Sequence, residues 1–381
     1  MFPLSEEQRL VAQAARDFAT RSLAPGAAER DRTGQFPLEH IGALAELGLL
    51  GMKVPVDEGG SGADNVGYVL AMEAIAESCA STAVILASSN LASKILSDHA
   101  SPAQKERFLA PYVRGEIGPA SFALTEPSGG SDASALRTTA RLDGDEWVID
   151  GEKTWITSGA HAGLHVVFVR TDGEGKNGIS AIVVPRGAPG LTVGKEEDKM
   201  GQRASGTVGL HFADCRVPAG NLLGRRGAGY GIALSALGAG RVGIAALSIG
   251  IAEAALAEGL AYAASRRVFG QTLAAMQNTQ MVLADCRMEL DAAWLLALRA
   301  ARLLDAGERA GTETSMAKLH ATEACGRIVD RVLQLHGGYG YSREYAIERH
   351  YRDARVTRIY EGANEIQRLV IARELLASAT A

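Results

Sequence analysis

Apolar positions along the chain recur with two different periods, and the changes of period divide it into three stretches. From Ser5 to about Val113 the spacing is helical: Leu44, Leu47 and Leu50 mark one stripe, and Val69, Met72, Glu73 and Ala76 another. Pro25, Pro37, Pro55, Gly59, Gly60 and Pro102 punctuate this stretch, and Ser5 with Gln8 predicts a capping box on its first helix. Around Pro119 the pattern turns to short β-prone runs. In "RTTARLDGDEWVIDGEKTWI" the pair Asp143-Gly144 separates two of them, a hairpin signal. "HVVFVR", "GISAIVVP", "GLTVG" and "VGLHFADCRVP" follow between Gly, Pro and Asp turns.

From Gly229 the helical period returns. Leu283, Cys286, Leu290, Trp294, Ala297, Ala301 and Leu304 fall at spacings of three and four, in a helix ended by "DAGERAG". "ETSMAKLHATEACGRIVDRVLQLHGG" predicts another, stopped by Gly337-Gly338. Helices, then strands, then helices is the segregated α+β order rather than alternating βαβ units. The expected domains are an N-terminal helical domain (1–118), a central antiparallel β domain (119–228) and a C-terminal helical bundle (229–381).

Composition narrows the partners. A chain of 381 residues with 47% hydrophobic and 22% charged residues can bury a large core. A net charge of −5 without a basic run gives no footprint for nucleic acid or an anionic membrane. Cys79, Cys215, Cys286 and Cys325 are scattered, which argues against a metal site and against a disulfide framework. The opening "MFPLSEEQRLVAQAARDFA" lacks the basic start and apolar core of a signal peptide, and the apolar runs read as too short or too interrupted to span a bilayer. A reducing cytoplasm is the expectation.

Gly238, Gly240 and Gly243 form a literal GxGxxG. A dinucleotide fingerprint needs a strand before it and an acid some way after. Here "YGIALSAL" merges into the same helical run, so close helix packing is the better reading.

Five segments are odd for pure packing. "FALTEPSGGSD", from Phe122 to Asp132, ends a strand in a loop of backbone and hydroxyl donors, suited to a flavin edge or a phosphate, or to an ordinary turn. "TWITSG" sets the Trp155 indole beside Thr154 and Thr157, which is either core or the wall of a flat cofactor. In "SRRVFGQTL", Arg266 binds a pyrophosphate or caps a helix, and in "QLHGGYGYSREY" the glycines break a helix where a ligand could approach. In "RIYEGANEIQ", Asn364 with Gln367 predicts a helix N-cap. Glu361 before it either favours the positive helix end or is a base set at a bend.

Together these segments resemble the acyl-CoA dehydrogenase family over essentially the whole chain, in the family's order and at compatible spacings. The resemblance implies a helical domain, a β domain and a four-helix domain that bind FAD. It implies that Phe122, Leu124, Thr125, Ser131, Trp155, Ile156 and Thr157 hold the flavin ring. Arg266, Phe269, Gln277, Gln334, Leu335, His336, Gly337 and Gly338 would take its pyrophosphate and adenosine end, partly across a subunit interface, with Ala363 and Glu365 also at the cofactor. Ser131, Gly238, Arg241 and Gly362 match substrate positions, and Glu361 matches the catalytic base.

The implied reaction is α,β-dehydrogenation of a short- or medium-chain acyl-CoA. Glu361 takes the α-proton, the β-hydride goes to the flavin, and electrons pass to an electron-transfer flavoprotein. A homotetramer is implied. Family branches that carry the base just before the arginine of "GAGR" have an acid where Gly240 stands, so Glu361 has no competitor there. Cys79 to Ser93 holds no cation for a second carboxylate. Gly238 replaces a common aspartate, Ala363 a common threonine, and Ser128-Gly129 a common Gly-Ala. The first departure leaves a carrier-protein thioester as the alternative donor, and a flavin oxidase or monooxygenase is the alternative chemistry.

Overall fold

The computed structural model describes residues 3–379. The outer expected domains also include two residues at each end of the chain, which lie outside the described residues. Helices α1 (Glu6–Phe18), α2 (Ala27–Thr33), α3 (Ile41–Glu46), α4 (Asn65–Ser78), α5 (Ala80–His99), α6 (Pro102–Gln104) and α7 (Ala110–Val113) come first. The Ser5 hydroxyl accepts from Gln8 N–H while the Gln8 side chain accepts from Ser5 N–H, closing the expected capping box. Leu44 and Leu50 are buried, but Leu47 is 41% exposed, because α3 ends there and the stripe has no further turn to continue on. Val69, Met72, Glu73 and Ala76 are all buried on α4.

The strands are β1 (Ala120–Ala123), β2 (Thr139–Asp143), β3 (Glu146–Thr157), β4 (Leu164–Arg170), β5 (Ile179–Pro185), β6 (Leu191–Glu196), β7 (Thr207–Pro218) and β8 (Leu222–Leu223). They form one sheet in the order β6-β7-β3-β2-β4-β5-β8, with β1 beside β4. The expected hairpin is present one residue later than the pattern suggested: Asp143 pairs with Glu146, and the turn is Gly144-Asp145, with Gly144 at φ +62°. The sheet is antiparallel except that β1 and β2 each meet β4 in parallel. β4 and β5 are buried on both faces: Val166, Phe168, Ala181 and Val183 join the core shared with the helices, and Val167, Val169, Ile182 and Val184 a second core within the sheet. Their continuous apolar runs follow from that position.

The chain then enters α8 (Gly229–Ser265), a hairpin of β9 (Arg267–Val268) and β10 (Gln271–Thr272), then α9 (Gln277–Asp305), α10 (Gly311–His336), α11 (Ile347–Arg355) and α12 (Asn364–Ala379). The expectation that no run is long enough to span a bilayer fails for α8, whose 37 residues pass that test by length and composition. Its most apolar window is 61% buried in the protein. Small residues let neighbours approach it: a β-carbon at Gly243 would stand 3.0 Å from the Tyr68 ring of α4. The GxGxxG pattern lies inside this helix, with no strand before it. On α9, Cys286, Leu290, Ala297 and Ala301 are buried, and Leu283, Trp294 and Leu304 pack partly buried beside them.

Candidate active site

The segment joining α11 to α12 carries a left-handed bend. Glu361 sits at φ +50° and Gly362 at φ +86°, two consecutive left-handed residues. That region costs a non-glycine residue about 1–2 kcal/mol, so the surroundings must hold it. They do so at the Gly362 carbonyl, which accepts from Lys318 Nζ at 3.0 Å and from Gln367 Nε2 at 2.8 Å. Asn364 is not the expected N-cap. It is the first residue of α12, and its buried carboxamide is turned into α10 instead. There Oδ1 accepts from Lys318 Nζ at 2.9 Å, and Nδ2 donates to Glu323 Oε1 at 2.9 Å.

The bend aims Glu361 at α8. Its Oε2 is buried without a hydrogen-bond partner, against Gly240, where a β-carbon would stand 2.9 Å away. The same β-carbon would lie 3.1 Å from Leu91 Cδ1 on α5, so base candidate, helix and apolar wall converge at one point. Burial pushes the Glu361 carboxyl up to about 7, against the pull of Lys318, Arg241 and Lys53. Among the described residues nothing accepts the Glu361 N–H, so that donor is free. Arg241 donates to Ser315 Oγ at 2.9 Å, while its buried Nε has no partner. Gly238, one turn away on α8, faces open space, since a β-carbon there would touch nothing within 4 Å.

A second cluster forms where β1 and β3 end. Thr154 N–H donates to Thr125 C=O at 2.9 Å, joining the "LTEPS" loop to Trp155, Ile156 and Thr157. Trp155 lies at φ +61°, beside the irregularity in the β3–β7 pairing, and its indole is left 59% exposed. Thr125 and Thr157 are half-buried and Ser131 is exposed. Leu124 and Ile156 are buried. The Phe122 ring packs on Phe168 at 4.9 Å, partly buried against the core. Sequence reasoning missed what fixes this loop: buried Glu126 accepts from Arg137 N–H, Thr138 N–H and Lys153 Nζ, the last at 2.6 Å.

A third cluster is a cleft of about 430 Å³ lined by Tyr262, Arg266, Leu335, His336, Gly337, Gly338 and neighbours. The Arg266 guanidinium lies 5.2 Å over the Tyr339 ring, rather than capping α8 by its side chain. Gln334 and Gln277 are exposed nearby in sequence but do not line the cleft. Phe269, at φ +49° on the tip of the β9–β10 hairpin, is 96% exposed. Ala363 is half-buried beside the bend and Glu365 is exposed.

The first two clusters are tied through the loop before β7. Ser158 N–H donates to Gly206 C=O at 2.7 Å, and Gln202 of that loop donates to Asp353 and to Tyr360 Oη, next to Glu361. Lys318, Lys53, Gln202 and the Glu126–Lys153 pair were all missed in the sequence. Only Lys318 left a usable signal there, a charged residue among the core-facing positions Thr314, Ala317, Ala321 and Cys325 of α10.

A buried, unpaired carboxylate at Glu361, an exposed indole at Trp155 and an arginine cleft at Arg266 are the kinds of group a flavin oxidoreductase uses. Family models agree: the acyl-CoA dehydrogenase N-terminal domain matches residues 5–116, the middle domain 121–215 and the C-terminal domain 227–376. The chain belongs to the acyl-CoA dehydrogenase family of FAD-dependent oxidoreductases. The mitochondrial short-chain specific acyl-CoA dehydrogenase of Mus musculus is 47% identical over 378 residues, covering 98% of this chain and 91% of its own. Butyryl-CoA dehydrogenase from Megasphaera elsdenii superposes with a TM-score of 0.96 at 40% identity, over 99% of this chain and 100% of its own. A chain solved in work on the electron transferring flavoprotein of Acidaminococcus fermentans superposes at 0.97 with 39% identity, over 99% of both chains. The groups present fit FAD: the exposed Trp155 indole offers a ring wall, and Arg266 with the bare backbone of Gly337-Gly338 offers an anion site.

Proposed function

We propose that the protein converts a short- or medium-chain acyl thioester to its trans-2-enoyl thioester, with Glu361 as the base. One observation carries this: a carboxylate in a left-handed bend, its Oε2 buried without a partner and its pKa raised to about 7. The α-proton of a thioester is too weakly acidic for an ordinary surface carboxylate. An acid held near 7 is a stronger base than one at 4.5, and half of it is ionised near neutral pH. The free Glu361 N–H is available to the thioester carbonyl, where negative charge grows as the proton leaves. FAD, when bound, supplies the acceptor for the β-hydride. Thr125, Trp155 and Thr157 would hold its ring, and Arg266 with Gln334 to Gly338 its pyrophosphate and adenosine end.

Lys318, two turns into α10, and His336, at its last residue, are about 27 Å apart along the axis. That separation supports a homotetramer in which the Arg266 cleft of one subunit serves the FAD of another. The likeness to the chain from the Acidaminococcus fermentans study supports an electron-transfer flavoprotein as the electron acceptor. Four buried, unpaired cysteines support a reducing cytoplasm. The domain limits proposed are 118/119 and 228/229, at Gly118-Pro119 and just before α8.

Anaerobic addition of acyl-CoA to the yellow holoenzyme tests the reading. Bleaching that persists in air and reverses with an electron-transfer flavoprotein is expected. Prompt recolouring by oxygen alone would make it an oxidase. No bleaching by any acyl thioester would end the proposal.

A further inference from the structure

Lys318 is the only cation among the described residues that hydrogen-bonds the Glu361 bend, and it is fully buried in α10. Its ammonium donates to the Gly362 carbonyl at 3.0 Å and to Asn364 Oδ1 at 2.9 Å. It therefore reaches both sides of Ala363 and spans the turn from the left-handed pair into α12. Asn364 is locked in turn, since Thr322 Oγ1, one turn along α10, donates to Oδ1 at 3.2 Å and Glu323 Oε1 accepts from Nδ2. Glu323 is itself held by Arg358 and Arg368. Glu361, by contrast, has no side-chain hydrogen bond at Oε2. What keeps its carboxylate pointed at Gly240 is the backbone, and Lys318 is a main fastening of that backbone.

We propose that Lys318 is a positioning residue for the base: it clamps the Glu361–Gly362 bend and sets a buried positive charge beside it. The idea rests on Glu361 acting as the base. A buried lysine is costly, and replacing it by an apolar side chain would be the simpler way to pack α10 against α12. Its retention is explained if its charge has work at Glu361. The charged and titratable groups facing Glu361 are Lys318 from α10, Arg241 from α8, Lys53 from the segment before α4, Tyr68 from α4 and Tyr360 beside it. Lys318, Arg241 and Lys53 all favour the ionised carboxylate, against its burial, and Lys318 alone of the three also hydrogen-bonds the bend. Glu365 and Glu323 are the other acids near Lys318. Lys318 is itself lowered to about 8 by burial, so it still carries its proton at neutral pH.

Three variants separate charge from fastening. Lys318→Arg keeps the charge, Lys318→Gln keeps a donor without the charge, and Lys318→Met removes both. The readout is the pH dependence of kcat/KM and of anaerobic flavin bleaching in the holoenzyme. Removing a cation disfavours the carboxylate, so the acid limb should move to higher pH. The expected rise is about one pH unit or more in Lys318→Gln, with about fivefold or more lost activity at neutral pH that returns as pH rises. Lys318→Arg should leave the limb close to the wild-type position. A residue that merely fastened α12 would lower the rate at every pH without moving the limb, and that result overturns the proposal. So does Lys318→Arg shifting the limb as far as Lys318→Gln.

A thermal-unfolding cycle of Lys318→Gln with Glu361→Gln, run on FAD-loaded protein near neutral pH, reads the same coupling without turnover. Lys318→Gln should cost more stability when Glu361 is present than when Gln stands there, and additivity overturns the proposal. The cycle also decides the matter where Lys318→Met does not fold. Wild-type protein that never bleaches while the cycle shows coupling would instead overturn the catalytic reading of Glu361 and leave the electrostatic pairing standing.

Discussion

Gly240 gives the Glu361 carboxylate its seat: a β-carbon at position 240 would stand 2.9 Å from Oε2. Helix α8 and the bend before α12 thus meet at the one residue without a side chain. Gly240→Ala should drive the carboxylate aside while leaving the helix intact. Alanine stabilises a helix interior by about 1 kcal/mol over glycine, and the group displaced is the end of a flexible side chain. The melting temperature should therefore hold or rise while turnover falls by about tenfold or more, the cost of about 1.4 kcal/mol of misalignment. Thermal unfolding and steady-state rates on one preparation check both halves.

Glu361→Gln should keep FAD and lose nearly all dehydrogenation, because the carboxamide keeps the size and cannot take a proton. A general base contributes about 10²- to 10⁴-fold, so residual rates within a few-fold of wild type would place the base elsewhere. The same variant has a stability signature. The folded pKa of about 7 lies above the ordinary 4.5, so the folded state holds this proton more tightly than the unfolded chain. Its stabilising effect is present at low pH and is lost as pH rises from about 4.5 through 7. The uncharged glutamine escapes that loss. Melting temperatures of variant and wild type should coincide in acid and separate above neutrality, with the variant higher.

The three-part fold was legible because the apolar period changes where the elements change, and because glycine and proline mark the breaks. At the candidate site the residues alone left two readings open, as at Trp155, Arg266 and Glu361, and only the family resemblance chose between them. The role of Asn364 was misread because a local rule, the N-cap pattern, competes with a tertiary demand: α10 presents a buried ammonium that needs an acceptor. Leu47 was misread for a related reason, since periodicity carries no information on where a short helix stops. Lys53 and Gln202 lie in irregular loops, where no period points a side chain at anything. The Glu126–Lys153 pair joins positions 27 residues apart, a loop and a strand that only the tertiary fold brings together.

Arg266→Ala should weaken FAD retention and the oligomer together. Its guanidinium lies over Tyr339 in the cleft with Gly337 and Gly338, and no salt bridge within the described residues neutralises it. A ligand that binds only the assembled state stabilises that state, so losing the contact lowers both. Flavin absorbance after gel filtration and sedimentation velocity measure the pair. A fully flavin-loaded monomer would remove the shared-site argument.

The choice of acyl group should follow from Leu91, which borders the Glu361 seat, and the choice of thioester donor from Gly238, two residues before Gly240 on α8. Of the apolar residues of α5, Val84 and Leu86 are buried in the core, whereas Leu91 Cδ1 comes within 3.1 Å of a β-carbon at Gly240. An acyl chain reaching past Glu361 therefore meets Leu91. Each methylene buried along that wall is worth about 0.8 kcal/mol, so kcat/KM should climb about fourfold per carbon and then fall abruptly at the floor. Leu91→Ala should move the break to longer chains, and an unmoved break would place the floor elsewhere. Gly238 acts at the other end of the substrate. It faces open space where an aspartate is common in the family, so it offers the pantetheine arm no side-chain partner. Gly238→Asp should then lower KM for acyl-CoA with little change in kcat, since the arm is remote from the reacting carbons. Turnover of one acyl group on CoA and on a carrier protein, compared in wild type, decides what the open position serves. Equal or better use of CoA keeps the acyl-CoA reading. A clear preference for the carrier would move the natural donor to a protein-bound thioester and leave the chemistry at Glu361 unchanged.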